Sequence, residues 1–172
     1  MQKKRSRTLK NFDLLRKVGI VVFDFDGIFT DGFVYISQTG KEWLRCSKKD
    51  GLGIGLLKRT GVKILVLSSE MNGSAIRWRC KKLAIECHIG ISDKVACIGT
   101  LRQQYPDVMI AYMGDDLNDL AAMELADFKI TVADGHRALQ AKADYITKAK
   151  GGDHAVREVC ELIINSKKEK LA

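Results

Sequence analysis

The stretch from Gly19 to Asp31, GIVVFDFDGIFTD, constrains the fold of this chain more than any other part of the sequence. Residues 21–23 form an apolar run of β-branched and aromatic side chains, which is typical of a buried parallel strand. The run ends in two acids, Asp24 and Asp26, and Gly27 then permits a sharp turn. Ligands of open α/β sheets bind at the carboxyl ends of the strands, so these acids lie where a functional site is expected.

The two acids are two residues apart, so their side chains point the same way if the strand stays extended. Carboxylates this close repel each other unless a cation or a shared proton lies between them. The other interpretation is an ordinary strand followed by an Asp-Gly turn, and this stretch alone leaves both interpretations open.

Two further apolar runs also end in polar side chains. VKILVLSSE predicts a buried strand that ends at Ser68 and Ser69, and VMIAYMGDD predicts another that ends at Asp115 and Asp116. A helix that starts near Asp116 would bring Asp119 to the same place within its first turn.

Helical segments separate these strands. SDKVACIGTLRQQY predicts a helix with Ser92 as its N-cap and Lys94 at its start. DGLGIGLLKRTG predicts a helix closed by Gly61, and a hairpin is predicted where GFVYIS and KEWLRCS flank a turn that contains Gly40. This alternation predicts an α/β fold with a doubly wound, mostly parallel sheet.

Length and composition exclude several classes of protein. The 172 residues fit one domain, and a composition of 46% hydrophobic and 29% charged residues is typical of globular proteins. No apolar run is long enough to span a membrane, and no signal-peptide core follows the basic start, so a cytoplasmic protein is expected. The five cysteines lack any close pairing, which argues against a disulfide framework or a zinc site.

The net charge of +8 is concentrated at the two ends of the chain. Residues 1–17 form a basic N-terminal segment, and its apolar residues from Leu9 onward have the spacing of a short amphipathic helix. Residues 167–172 form a basic tail, and the predicted domain between them, residues 18–166, is neutral. Without a patterned basic face or an aromatic platform, solvated basic ends are favoured over a surface that binds nucleic acid.

The predicted strand ends and helix starts bring five side chains to one edge of the sheet: Asp24, Asp26, Ser68, Lys94 and Asp115. That set has the parts that phosphoryl transfer requires. A carboxylate can attack phosphorus, a second carboxylic acid can protonate the leaving oxygen, and Mg²⁺ on oxygen ligands can bridge nucleophile and phosphate. A hydroxyl and an ammonium group can hold the remaining phosphoryl oxygens.

Four short segments resemble, in order, the four motifs of the haloacid dehalogenase superfamily of phosphatases. They are DFDGIFTDG, LSSE, SDK and GDDLND. More narrowly, the DG at residues 50–51, YMGDDLNDL and the tail GGDHAVREVCELI resemble the 3-deoxy-D-manno-octulosonate 8-phosphate phosphatase group. That group includes phosphatases of nine-carbon sugar acid 9-phosphates and the C-terminal domain of some acylneuraminate cytidylyltransferases. The resemblance covers residues 18–165 and implies a Rossmann-like haloacid dehalogenase fold with a β-hairpin flap and no cap domain.

The resemblance implies a role for each matching acid. Asp24 would be the nucleophile that forms an aspartyl phosphate, and Asp26 would be the general acid and then the general base. Mg²⁺ would be held by Asp24, by the main-chain carbonyl of Asp26 and by Asp115. Asp116 or Asp119 would lie outside the direct ligands of the ion.

The resemblance also implies roles for polar groups around the acids. Ser68 would bind the phosphoryl group, with Ser69 as the alternative, and Lys94 would neutralise the intermediate. Asp50 and Gly51 are implied substrate contacts.

Two departures from the group bear on the substrate. Octulosonate phosphatases usually carry an arginine shortly after the motif hydroxyl, where this chain has Glu70. A glutamate would repel a substrate carboxylate, but it can accept hydrogen bonds from sugar hydroxyls or orient an arginine such as Arg77. Relatives that act on nine-carbon substrates resemble this chain here, which favours a nine-carbon 2-keto-3-deoxy sugar acid 9-phosphate over the eight-carbon ester. Alternatively, Glu70 caps the helix that follows.

The second departure is His154, which stands where the tail usually has a glycine.

The quaternary structure implied by the resemblance is a homotetramer in which hairpins and neighbouring subunits cover the active sites. The segment from Phe33 to Cys46 fits that use because it is rich in apolar and aromatic side chains beside a site that lacks a cap. An exposed patch of that kind usually marks an interface.

Two other classes of protein combine some of the same features. A phosphorylation receiver domain also uses acids, a hydroxyl and a lysine at sheet ends, but its lysine comes last, whereas Lys94 precedes the GDD strand here. A non-catalytic oligomerisation domain related to the cytidylyltransferases can lose the nucleophile, whereas Asp24 is present. An active phosphatase is therefore favoured over both.

Overall fold

A computed structural model of the chain describes residues 13–168. Leu9 of the expected amphipathic helix and residues 169–172 of the expected tail lie outside the described residues. At the start of the described range, α1 covers residues 13–17 and leads directly into the first strand.

Eight strands and six further helices follow α1 in the described range. In chain order they are β1 (Val18–Phe23), β2 (Thr30–Ile36), β3 (Glu42–Cys46), α2 (Lys48–Lys58), β4 (Lys63–Leu67), α3 (Ser74–Leu83), β5 (Glu86–His88), α4 (Lys94–Gln104), β6 (Met109–Gly114), α5 (Leu117–Glu124), β7 (Phe128–Thr131), α6 (Arg137–Lys142), β8 (Tyr145–Ile146) and α7 (Ala155–Lys168). None of the helices in this range is long and apolar enough to cross a membrane.

Six of the strands form one sheet in the order β5-β4-β1-β6-β7-β8, and every neighbouring pair in it is parallel. β2 and β3 form a separate antiparallel hairpin. The predicted doubly wound α/β sheet with a hairpin flap is therefore confirmed. β1 occupies the middle of the sheet between β4 and β6, so the three predicted strand ends lie side by side.

Side chains of alternate strand residues pack against helices on the two faces of the sheet. In β1, Val21 and Phe23 face a core that includes Ile54 of α2, Ile76 of α3 and Val159 of α7. The alternate residues of the same strand face the second core, formed with α4, α5 and α6. Both faces of the central strand are thus buried, which explains its continuous apolar sequence.

The helix that carries Lys94 begins at Lys94, as predicted, but its N-cap lies one residue later than predicted. The N-cap is Asp93 rather than Ser92, because the Asp93 side chain accepts a hydrogen bond from the backbone N–H of Ala96, three residues on. This spacing is the normal geometry of an N-cap side chain. The helix near Asp116 begins as predicted, with Asp116 as the N-cap of α5.

A glycine-rich loop before α7 packs tightly against the turn that follows β1. The N–H of Gly152 donates to the carbonyl oxygen of Ile28 at 3.0 Å. His154 has a left-handed backbone with φ 77°, a conformation that favours glycine. Its Nδ1 lies 2.8 Å from the Ser47 hydroxyl, a contact that no glycine could make.

Replacing Gly151 by alanine tests this close packing, because the added Cβ would lie 1.8 Å from the carbonyl oxygen of Gly27. We expect the free energy of unfolding to fall by about 3 kcal/mol, the upper end of the usual cost of overpacking. Gly99→Ala in α4 is the matched control, since nothing lies within 4 Å of its added Cβ. That variant should gain about 0.5–1 kcal/mol from better helix propensity. Urea unfolding measures both, and equal effects would contradict the prediction.

Candidate active site

The carboxyl ends of β4, β1 and β6 form one edge of the sheet. Ser68, Asp24 and Asp115 are the residues that directly follow these three strands. The backbone N–H of Asp24 donates to the carbonyl oxygen of Met113 at 2.9 Å, which extends the pairing of β1 with β6 as far as the first acid. The predicted edge of acids and hydroxyls is therefore present.

Lys94 lies at the centre of these acids. Its ammonium nitrogen is 2.9 Å from Asp24 Oδ1 and 2.7 Å from Asp119 Oδ1, and its side chain is only 3% exposed. A buried lysine needs carboxylate partners because an unpaired charge inside a protein is strongly unfavourable. The start of α4 is thus tied to the end of β1 and to the first turn of α5.

Asp119 holds the surrounding groups in place. Its Oδ1 also accepts a hydrogen bond from the Tyr112 hydroxyl at 2.6 Å, and its Oδ2 accepts one from the backbone N–H of Asp115 at 3.0 Å. Both carboxylate oxygens are therefore occupied by protein donors. Asp116 differs, because it is exposed and its Oδ1 accepts from the N–H of Leu117 at 2.7 Å.

The site holds more buried carboxyl groups than positive charges, and this raises the pKa values of Asp24 and Asp115. Burial raises the pKa of Asp24 to about 8, and the nearby charge of Asp119 adds to this while Lys94 opposes it. Burial and the charges of Asp119 and Asp116 raise the pKa of Asp115 to about 7. Burial alone would lower the pKa of Lys94, but the attraction of Asp24 and Asp119 outweighs it and raises that pKa. An additional cation would relieve the repulsion between the acids.

The acids offer a suitable set of oxygen atoms for Mg²⁺. One oxygen each from Asp24, Asp115 and Asp119 lies within 4.8 Å of the others. Gly27 makes this approach possible, since a Cβ there would lie 1.9 Å from Asp115 Oδ2. Carboxylate oxygens are the ligands that Mg²⁺ prefers. Because the oxygens of Asp119 are occupied, Asp24 and Asp115 are the carboxylates best placed to hold the ion.

Asp26, the second acid of the motif, lies in the turn after β1 and is partly buried. Its Oδ1 accepts a hydrogen bond from the Thr30 hydroxyl at 3.2 Å. Burial raises the pKa of Asp26, whereas the hydrogen bond from Thr30 lowers it and the charge of Glu70 raises it further. A raised pKa suits a carboxyl group that must donate a proton.

A pocket of about 280 Å³ opens over the motif acids and is lined by Asp24, Asp26, Ser68, Ser69, Glu70 and Asn118. Ser68 is buried, and its hydroxyl oxygen accepts a hydrogen bond from the N–H of Glu70 at 3.1 Å. The hydroxyl hydrogen of Ser68 is therefore available to an anion in the pocket. Ser69, the alternative, also lines the pocket but is exposed.

A larger cavity of about 620 Å³ extends from this pocket toward the hairpin and the start of α3. Asp26 and Glu70 line both spaces, and Glu42 of β3 adds a third carboxylate to the larger one. Glu70 Oε1 also accepts a hydrogen bond from the N–H of Asn72 at 2.9 Å, so it binds the backbone ahead of α3 while facing the cavity. The alternative that Glu70 caps this helix is wrong, because α3 begins at Ser74 with Gly73 as its N-cap and Asn72 precedes both.

Three of the expected substrate contacts lie elsewhere. Asp50 is fully buried, and its Oδ1 accepts a hydrogen bond from the N–H of Arg157 at 2.9 Å in the first turn of α7. Gly51 packs beside Leu83. Arg77 is exposed on α3 and lines neither cavity. Within one chain, Asp50, Gly51 and Arg77 thus lie outside both cavities, and Asp50 binds the first turn of α7 instead. Their contact with a substrate stays a prediction.

Sequence reasoning missed three polar residues at the site. Asn118 lines the smaller pocket, and its place between the acids of GDDLND, on the first turn of α5, was a usable signal. Tyr112 lies inside the apolar strand β6 and donates to Asp119, and Thr30 begins β2, directly after the turn, and donates to Asp26. Neither position has a periodic pattern that would have indicated these contacts.

Comparison with known proteins agrees with this geometry. A sequence model of the haloacid dehalogenase-like hydrolases matches residues 93–159, which include Lys94 and Asp115. The 3-deoxy-D-manno-octulosonate 8-phosphate phosphatase of Escherichia coli strain K12 is 31% identical over 150 residues, which cover 86% of this chain and 79% of that protein.

Two solved structures have the same fold. The 3-deoxy-D-manno-octulosonate 8-phosphate phosphatase of Moraxella catarrhalis, in complex with a magnesium ion, a phosphate ion and KDO, superposes with a TM-score of 0.87 at 32% identity, covering 93% of each chain. A haloacid dehalogenase superfamily (subfamily III A) hydrolase of Legionella pneumophila gives a TM-score of 0.91 at 26% identity, covering 98% of this chain and 94% of that one.

The ligand set for Mg²⁺ can be tested directly by isothermal titration calorimetry. Asp115→Asn should weaken Mg²⁺ binding by about 100-fold or more, since changes beyond the direct ligands of a metal already cost about 10–100-fold. Asp107→Asn is the matched control, because it removes the same charge at an exposed acid that lies before β6 and away from the site. Its affinity for Mg²⁺ should stay close to that of the parent. Equal losses in the two variants would contradict the assignment.

Proposed function

The chain belongs to the haloacid dehalogenase-like hydrolases, within the group of the 3-deoxy-D-manno-octulosonate 8-phosphate phosphatases, and we propose that it is a Mg²⁺-dependent phosphatase of a 2-keto-3-deoxy sugar acid phosphate. The observation that carries this proposal is the contact of Lys94 with Asp24 beneath a pocket lined by Asp24, Asp26 and Ser68. These groups match the nucleophile, the acid and the phosphoryl-binding hydroxyl that phosphoryl transfer requires.

In the first step, a carboxylate oxygen of Asp24 attacks phosphorus, and the bond from phosphorus to the sugar oxygen breaks. Asp26 gives its proton to that leaving oxygen. Ser68 and Lys94 hold phosphoryl oxygens and offset their negative charge. Mg²⁺, when bound by Asp24 and Asp115, supplies further positive charge at the same place.

In the second step, Asp26 accepts a proton from water, and the water oxygen attacks phosphorus. The bond from phosphorus to Asp24 breaks, which releases phosphate and restores the carboxylate. One carboxyl group can serve first as acid and then as base because each step leaves it in the state that the next step needs.

Asp24→Asn tests the nucleophile. Unaided hydrolysis of phosphate monoesters is extremely slow, so loss of the covalent route should reduce kcat on p-nitrophenyl phosphate with Mg²⁺ by many orders of magnitude. The variant should stay folded because asparagine has nearly the same volume. Asp107→Asn, at an exposed acid before β6, is the control that should keep the parent rate. Near-normal turnover of Asp24→Asn would contradict the assignment, and an inactive parent would favour the non-catalytic oligomerisation domain.

The substrate is proposed to be a nine-carbon 2-keto-3-deoxy sugar acid 9-phosphate of the sialic acid type rather than the eight-carbon 8-phosphate. The three carboxylates that line the larger cavity, Asp26, Glu42 and Glu70, support this proposal. They are suited to accept hydrogen bonds from the hydroxyls of a longer sugar chain. The protein is also proposed to act in the cytoplasm, as expected from its sequence.

Comparison of the two substrates in the parent and in Glu70→Arg tests this choice. The parent should have the higher kcat/KM for the nine-carbon ester. Glu70→Arg should shift the preference toward the eight-carbon ester, because arginine can form a bidentate pair with a substrate carboxylate. A parent that prefers the eight-carbon ester, or the same preference in both proteins, would contradict the proposal.

The quaternary structure is proposed to be a homotetramer in which the hairpin of β2 and β3 covers the active sites of neighbouring subunits. Apolar and aromatic side chains on this hairpin are strongly exposed in the single chain, with Phe33 at 71% and Trp43 at 55%. Exposed apolar patches of this kind are typical of interfaces.

Light scattering coupled to size-exclusion chromatography should find a tetramer. Phe33→Asp should shift the protein to smaller species, because a charge would be buried in the interface. Leu125→Asp is the control, since Leu125 is an exposed apolar residue at the end of α5, near the opposite edge of the sheet. A fully active monomer would count decisively against this quaternary structure.

A further inference from the structure

Thr30 is a fully buried polar residue that no step above uses. It is the first residue of β2, directly after the turn that carries Asp26. Its hydroxyl donates to Asp26 Oδ1 at 3.2 Å and accepts hydrogen bonds from the N–H groups of Gly27 at 3.2 Å and Gly32 at 3.3 Å.

These three contacts fix the direction of the Thr30 hydroxyl hydrogen. A hydroxyl group has one hydrogen to donate and two lone pairs with which to accept. Gly27 and Gly32 donate N–H hydrogens, so they occupy both lone pairs. The one remaining contact, to Asp26 Oδ1, must therefore be the donated one.

A hydrogen bond donated to Oδ1 distinguishes the two oxygens of Asp26. When Asp26 is a protonated acid, Oδ1 is the carbonyl oxygen that accepts from Thr30, and the transferable proton lies on Oδ2. We propose that Thr30 is a positioning residue that selects Oδ2 of Asp26 as the oxygen that protonates the leaving group. This proposal rests on the proposed phosphatase function.

The surroundings of Thr30 keep the turn rigid. On one side, the loop before α7 packs so closely that a Cβ on Gly152 would lie 2.5 Å from the Thr30 carbonyl carbon. On the other side, Thr30 pairs with Cys46 across the base of the hairpin. The residue that aims the general acid is thus also the residue where the hairpin joins the domain.

The test uses leaving groups that differ in their need for a proton. A sugar acid phosphate has an alkoxide leaving group that must be protonated, whereas p-nitrophenolate leaves without help. General acid catalysis contributes about 10²–10⁴-fold. Thr30→Val should therefore lower kcat/KM on the better of the eight- and nine-carbon esters at least tenfold more than on p-nitrophenyl phosphate.

Thr30→Ser is the conservative variant, because it keeps the hydroxyl and should restore the parent ratio of the two kcat/KM values. Asp26→Asn shows the full loss of the acid on each substrate. An equal loss on both substrates in Thr30→Val, at a temperature where circular dichroism finds it folded, would overturn the proposal. Parent values of kcat/KM for Thr30→Val on both substrates would overturn it as well.

Crystal structures of the parent and of Thr30→Val separate this proposal from the phosphatase function, because they need no turnover. Asp26 should keep its rotamer in the parent and in Thr30→Ser and should turn away in Thr30→Val. An unchanged Asp26 carboxylate in Thr30→Val would overturn the positioning role even if the enzyme is an active phosphatase. An inactive parent would refute the proposed reaction, and rotation of Asp26 in the crystal structure of Thr30→Val would still show that Thr30 positions the Asp26 carboxyl group.

Discussion

The buried ammonium group of Lys94 is the interaction on which the site depends. It bridges Asp24 at the end of β1 and Asp119 in the first turn of α5, and so joins three elements that are distant in sequence. Asp119 in turn fixes the backbone of Asp115. Without this cation, two buried carboxylates would face each other with no positive charge between them, which is strongly unfavourable in a protein interior.

The same interaction leaves the site electrostatically incomplete. Lys94 provides one positive charge among Asp24, Asp115 and Asp119. Burial, together with the remaining repulsion between the acids, raises the pKa values of Asp24 and Asp115. A fold that tolerates such repulsion at the open ends of its strands is suited to bind a cation together with an anionic substrate. The three carboxylates that line the larger cavity are hydrogen-bond acceptors, which suits them to hydroxyl groups.

Much of this could be predicted from the sequence, because apolar strands that end in acids indicate both a parallel sheet and the edge where its ligands bind. Contacts between distant segments could not. From the sequence, Asp50 was expected to contact substrate, but in the fold it accepts a hydrogen bond from the first turn of α7. The hydrogen bonds of Thr30 and Tyr112 depend on distances between segments that no periodic pattern encodes. The helix cap at Asp93 rather than Ser92 shows that adjacent polar residues are distinguished only by backbone geometry.

The acid that Lys94 contacts at the end of β1 is proposed to be the group that becomes phosphorylated. The most direct measurement is an acid quench of the protein during turnover of a phosphorus-labelled substrate, followed by digestion and mass spectrometry. We expect an acyl phosphate on Asp24, which hydroxylamine should cleave as it cleaves other acyl phosphates. Label on Asp26 or Asp115 instead, or turnover without any labelled protein, would contradict this assignment.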